Sequence, residues 1–166
     1  MGLEPHDFLT PWLAITSSTL ENGCLSVIPG SHHEPLRPHV DTFADDNILT
    51  RGQQTEVPDE SLAVHLELQP GQMSIHHPRL IHGSQPNPSS DRRIGFALQS
   101  FVAPHVRQSL GPDFAMPISG DDHHGNFELV SPPTGEADEA GRAIRQRVNE
   151  NYADILYAGA ERRRAL

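Results

Sequence analysis

Residues 62–102 read LAVHLELQPGQMSIHHPRLIHGSQPNPSSDRRIGFALQSFV, and the periodicity of this stretch decides the fold class. Leu62, Val64, Leu66 and Leu68 alternate with polar or small residues, the two-residue repeat of a strand with one buried face. QPGQ (69–72) is turn chemistry, after which MSIHH (73–77) and the short Leu80–His82 piece are extended. GSQPNPSSD (83–91) is again a turn-rich segment. Arg93 to Val102 is the strongest strand in the chain: Ile94, Phe96 and Leu98 point one way, and Arg93, Gly95, Ala97 and Gln99 the other.

Working outward, PWLAITS (11–17) and CLSVI (24–28) form two more strands joined by the turn TLENG (19–23). Residues 34–61 are polar and irregular, as expected of a binding loop or lid. Residues 104–140 are rich in Pro, Gly and Asp and have no period. From 141 to 165 the pattern changes to a helix with Ile144, Val148, Tyr152, Ile155 and Leu156 on one stripe, and Arg162–Arg164 suit its C-terminal end. Fifteen Pro, thirteen Gly and 5% aromatic residues fit many turns between short strands. The expected fold is mainly β, an antiparallel barrel or jelly roll with a C-terminal α-helix. It divides into a jelly-roll core over 1–107, an irregular segment over 108–140 and the helix over 141–166.

Composition narrows the partners. The formal charge of −10 argues against nucleic acid and against an anionic membrane surface. No apolar run approaches the roughly 18 residues of a membrane span, and residues 1–12 lack a signal-peptide pattern. One cysteine, Cys24, excludes an internal disulfide and fits a reducing, cytoplasmic setting; its apolar surroundings make it a small buried residue rather than a nucleophile. Eleven histidines hint at metal or proton chemistry.

The site is read from His82 and Arg93, with ten intervening residues. His82 ends one extended piece and Arg93 begins the next. Gly95 and Ala97, on the Arg93 face, leave space beside the guanidinium, and a guanidinium in such a space needs an anion. A carboxylate held bidentately is the natural partner. A neutral imidazole at His82 can ligate a divalent metal, so the pair describes a site for a chelating keto acid.

WLAITSSTLENGCLSVIPGSHH (12–33), followed by PGQMSIHHPRLIHGSQPN (70–87) and the arginine pair 92–93, resembles the phytanoyl-CoA dioxygenase family of Fe(II)/2-oxoglutarate-dependent oxygenases. The resemblance covers roughly residues 3–107. It implies a double-stranded β-helix of the cupin-like type, with Fe(II) as metal and 2-oxoglutarate as cosubstrate. O2 and a small organic molecule would be the other reactants, and the reaction an oxidation of the hydroxylase type. His82 matches the distal histidine of the metal triad, Arg93 the clamp on the distal carboxylate of 2-oxoglutarate, and Ser84 and Trp12 positions that contact the cosubstrate. The other two ligands of the family come as H-x-D, somewhat more than a dozen residues before the tryptophan, ahead of Met1. The chain is therefore expected to be the C-terminal portion of such an enzyme, N-terminally incomplete, poor in iron affinity and turnover by itself, with a sheet edge open to self-association.

Other histidines divide between sharper and plainer roles. His6–Asp7 are adjacent and face opposite ways on a strand. His65–Leu66–Glu67 has the H-x-E spacing but lies on a strand that carries no ligand in the family. One of His76 and His77 must face inward, either beside the site or as packing at the barrel mouth. His32–His33 and His123–His124 are expected at the surface. Two further functions remain open: a catalytically silent jelly-roll module that binds a small acid or a partner protein, and a cupin-like metal hydrolase or isomerase.

Overall fold

The computed structural model describes residues 2–44, 51–57, 59–136 and 138–163. It is mainly β with one long helix, and the chain divides into two compact units. One comprises residues 7–40 and 54–102; the other comprises 1–6, 41–53 and 103–166.

The first unit contains a four-stranded and a three-stranded antiparallel sheet, the double-stranded β-helix that the family resemblance implies. Phe8–Ala14 is the hub of the larger sheet. It pairs with Met73–His76 on one side and with Gly95–Ala97 and Phe101–Val102 on the other. In the smaller sheet Leu25–Val27 lies between Val64–Leu66 and His82–Ser84. Phe8, Ala14, Cys24, Val27 and Ile28 are buried here. The ENG turn is closed by Asn22, whose side chain accepts from the Thr19 N–H (2.8 Å) and donates to the Ser17 carbonyl (2.9 Å). Gly23 follows at φ 78°, a backbone angle that favours glycine.

One feature differs from the sequence reading. The 93–102 strand is broken: Ser100 has φ 59°, so Gly95–Ala97 and Phe101–Val102 pair separately with the hub strand. Its apolar row is turned outward, with Phe96 56% exposed and Ile94 39% exposed. The row of Arg93, Gly95 and Ala97 is the one turned to Trp12.

In the second unit, Leu3–Glu4 pairs with Arg107–Gln108, and Phe114–Ala115 with Glu128–Leu129. The helix runs Glu139–Leu156, with Asp138 at its N-terminus accepting from the Ala140 N–H (3.1 Å). It stops well before residue 165. Tyr157 donates back to the Ala153 carbonyl, and Gly159 adopts φ 73°, the left-handed conformation that ends helices. Arg162 and Arg163 are not in its last turn: Arg162 lies over the Phe43 ring and Arg163 pairs with Asp154 at 2.9 Å. Arg164 lies outside the described residues. Among the described residues no helix is long and apolar enough to cross a membrane.

Arg51 ties this unit together. Its Nε and Nη2 donate to Asp41 Oδ2 (2.9 and 2.6 Å), and its Nη1 donates to the Leu156 carbonyl (2.8 Å). Arg51 and Asp41 side chains are only 16% and 20% exposed, whereas the Arg163–Asp154 pair is 58% and 72% exposed. Exposed pairs contribute little and half-sheltered networks more, so Arg51→Ala is expected to lower the melting temperature clearly and Arg163→Ala hardly at all. A thermal melt of the two variants checks it.

Candidate active site

Backbone register builds the site. Trp12 lies directly opposite Ser74 on one neighbouring strand and Ala97 on the other, and Thr10 lies opposite His76. Directly opposed residues share a face, so Ser74, His76, Trp12, Ala97 and Gly95 line one side of the sheet. Arg93, half-buried just before this strand, places its guanidinium carbon 5.6 Å from the centre of the Trp12 ring, within cation–π range. Gly95 is the floor under the indole: a Cβ there would collide with the six-membered ring of Trp12. Arg92 is exposed. Among the described residues no carboxylate pairs with Arg93.

The backbone around Arg93 is held by Thr16. The Thr16 hydroxyl donates to the Arg92 carbonyl and accepts from the Ile94 N–H, both at 2.8 Å, while the Ile15 N–H donates to the Ile94 carbonyl at 3.0 Å. No sequence signal points to Thr16, because its partners are more than seventy residues away. Thr16→Val keeps the shape and removes both hydrogen bonds, an expected loss of about 1 kcal/mol. It should also loosen any acid held by Arg93, which a binding titration on the variant would read.

His82 comes from the smaller sheet. Val27 is its direct partner, and Ser84 follows on the same face opposite Leu25. His82 Nδ1 lies 2.7 Å from the Leu80 carbonyl and donates to it, which leaves Nε2 as the lone-pair nitrogen. A backbone carbonyl on the second ring nitrogen is the usual orientation device of a metal-ligating histidine. The His82 ring centre is 5.3 Å from that of His76. Burial, and then the neighbouring His82, holds the His76 imidazole below its ordinary pKa, hence neutral at neutral pH.

Of the adjacent histidines, His76 turns to His82, whereas His77 sits 5.4 Å from the ring of His32. His65 does not join them. It bonds Ser26 Oγ at 2.8 Å on the opposite face of the smaller sheet, and Glu67 accepts from the Leu20 N–H. Cys24 is buried, and burial pushes its thiol up. Ser74 belongs to no motif that marks it in the sequence, although its two-residue spacing from His76 in MSIH gives it the same face. Among the described residues, no group of three or more His, Cys, Asp or Glu is placed to hold a metal ion. The described residues thus fit a carboxylate anchor, and they do not by themselves complete a three-ligand iron site.

Residues 3–95 match the family model described as phytanoyl-CoA dioxygenase (PhyH). The chain belongs to the phytanoyl-CoA dioxygenase family. Among curated members, the peroxisomal phytanoyl-CoA dioxygenase of Bos taurus is 38% identical over 90 residues, 53% of this chain and 26% of that protein. A probable alpha-ketoglutarate-dependent hypophosphite dioxygenase of Stutzerimonas stutzeri is 30% identical over 131 residues, 76% of this chain and 42% of that protein. The non-heme monooxygenase ThoJ in its apo form superimposes with a TM-score of 0.81 at 30% identity, covering 97% of this chain and 58% of that one. Its nickel complex gives 0.74 at 25% identity, covering 95% and 55%. The chain therefore spans less than half the length of these two curated relatives and somewhat more than half of ThoJ.

Proposed function

We propose that this chain carries the cosubstrate-anchoring part of a non-haem Fe(II)/2-oxoglutarate-dependent dioxygenase of the hydroxylase type, acting on a small organic molecule. Arg93 would clamp the distal carboxylate of 2-oxoglutarate, with Trp12 as the wall beside it and Ser84 as a hydroxyl donor. His82 would contribute one imidazole to iron. Bound iron would couple oxidative decarboxylation of 2-oxoglutarate to oxidation of the substrate by O2.

One observation carries the reading. Arg93 is half-buried with its guanidinium over Trp12, whose indole rests on Gly95, and it has no carboxylate partner among the described residues. An arrangement that shelters a cation and supplies no counter-charge suits an acidic ligand. The names of the relatives support the same class of cosubstrate, and the nickel complex of ThoJ supports a divalent metal.

Trp12 is the one tryptophan in the chain, so its emission reports this site alone. Titration with 2-oxoglutarate is expected to change that emission saturably. Glutarate, which keeps the distal carboxylate, should compete, and butyrate should not. An unchanged spectrum across the titration would overturn the anchor.

A second reading, a silent acid-binding module, is favoured by the lack of a three-ligand cluster among the described residues. Succinate formation by the chain with Fe(II) and 2-oxoglutarate separates the two. Binding without succinate supports the module, and succinate above background supports the enzyme.

A further inference from the structure

We infer that a groove in the second unit binds a compact aromatic carboxylic acid, at a site that shares no residue with the Arg93 anchor. The groove has a volume of about 430 Å³, a size suited to a small molecule. Its lining residues fall between Phe114 and Val148, so it lies wholly inside the unit that holds the helix.

The local sequence leaves this groove open. Ile144, Val148 and Tyr152 follow one another at four-residue spacing on the helix stripe, yet Ile155, near the far end, is the residue of the helix that is buried. Ile144 and Val148 are half-buried and line the groove instead. SPPTGE (131–136), which contributes Ser131, Pro133 and Gly135 to the lining, forms no strand; its two prolines have no N–H to give to a ladder. Phe114, Met116 and Val130 add further apolar surface, with Met116 44% exposed.

Two guanidinium groups border the same space. Arg142 and Arg145 line the groove three residues apart on the helix, a spacing at which like charges repel. Among the described residues neither has an acidic partner, whereas Arg147 on the same helix pairs with Glu128 at 2.9 Å and Arg51 with Asp41 at 2.6 Å. Asp138, the acid in the lining, is engaged by the N–H groups of Thr134 and Ala140 at 3.1 Å each. In a chain of formal charge −10, a cationic pair beside an apolar groove reverses the sign locally.

An apolar body with one anionic head matches both parts. A bare anion would leave the apolar lining in water, and a neutral hydrocarbon would leave the two like charges unbalanced. Phe114 and Met116 favour a ring over an open chain, through ring–ring and sulfur–ring contacts. A carboxylate accepts from guanidinium donors with the added strength of full charges.

Calorimetric titration of the 166-residue chain with naphthoate tests the site, with naphthalenemethanol as the neutral counterpart. One saturable event is expected for naphthoate, with the alcohol weaker by about tenfold or more, the usual worth of a hydrogen bond to a charged group. The double variant Arg142→Gln/Arg145→Gln, at two exposed positions, should bind naphthoate no better than the alcohol, and Arg93→Ala should bind it like the parent. Absence of binding, equal binding of acid and alcohol, or an unaffected double variant overturns the site. Loss of binding in Arg93→Ala overturns it too, by placing the acid at the 2-oxoglutarate anchor. Proton NMR of the parent chain with naphthoate covers the case in which a variant misfolds. Nuclear Overhauser contacts from the naphthalene ring to the methyl groups of Ile144 and Val148 support the groove, and contacts confined to other residues overturn it.

Discussion

Arg93→Ala is expected to weaken 2-oxoglutarate binding by at least about 2 kcal/mol, ~30-fold in affinity. Arg92→Ala should stay within about twofold, because an exposed charge acts only through screened, long-range attraction. The contrast follows from burial and facing. Arg93 is half-buried over Trp12 on the row of Gly95 and Ala97, while the Arg92 side chain is exposed. Removing a bidentate, charge-assisted pair of hydrogen bonds at a sheltered position leaves the ligand carboxylate poorly solvated. Arg93→Lys should recover only part of the affinity, since an ammonium cannot reproduce the planar fork. Titrations followed by Trp12 emission, or by calorimetry where a variant changes that emission, measure all three. Equal effects of the two alanine variants would place the anchor elsewhere.

Gly95→Ala is expected to destabilise the fold by about 1–3 kcal/mol, the usual cost of overpacking. Its direction is the informative part. A glycine inside a strand normally costs ~0.5–1 kcal/mol relative to alanine, so the same change at an open position would stabilise. At residue 95 the added methyl would occupy the volume of the Trp12 ring, and the indole must leave or the strand must shift. Either movement disturbs the wall beside Arg93, so the variant should also lose the emission response to 2-oxoglutarate. A urea unfolding midpoint at or above that of the parent would show that the indole does not rest on Gly95.

Much of this is legible without coordinates. The two-residue alternation in LAVHLEL and RIGFALQ marks the strands Val64–Leu66 and Gly95–Ala97, because a pleated backbone turns successive side chains to opposite faces, although Leu62 belongs to the 3-10 turn Glu60–Leu62 and both it and Val64 are exposed. The same parity rule separates Arg93 from Arg92 and puts Gly95 and Ala97 beside the former. The break at Ser100 is not legible, since nothing in QSFV marks a residue that takes a positive φ. The end of the helix at Leu156 is partly visible in Gly159, but the apolar and arginine-rich residues beyond it extend the apparent period.

Facing within a strand is a local property, and the sequence determined it. It yielded an antiparallel barrel or jelly roll, the terminal helix, and His82 and Arg93 as the residues to watch. Which of two opposite faces is turned to the site, and what stands across from it, depends on pairing between strands far apart in the chain. Only the tertiary structure decided that the Trp12 indole fills the space over Gly95. It alone showed that a hydroxyl at Thr16 holds the Arg93 backbone. It also decided that His76, and not His77, meets His82, because the braced turn at residues 77–81 carries the chain from one sheet to the other and so sets the two rings side by side.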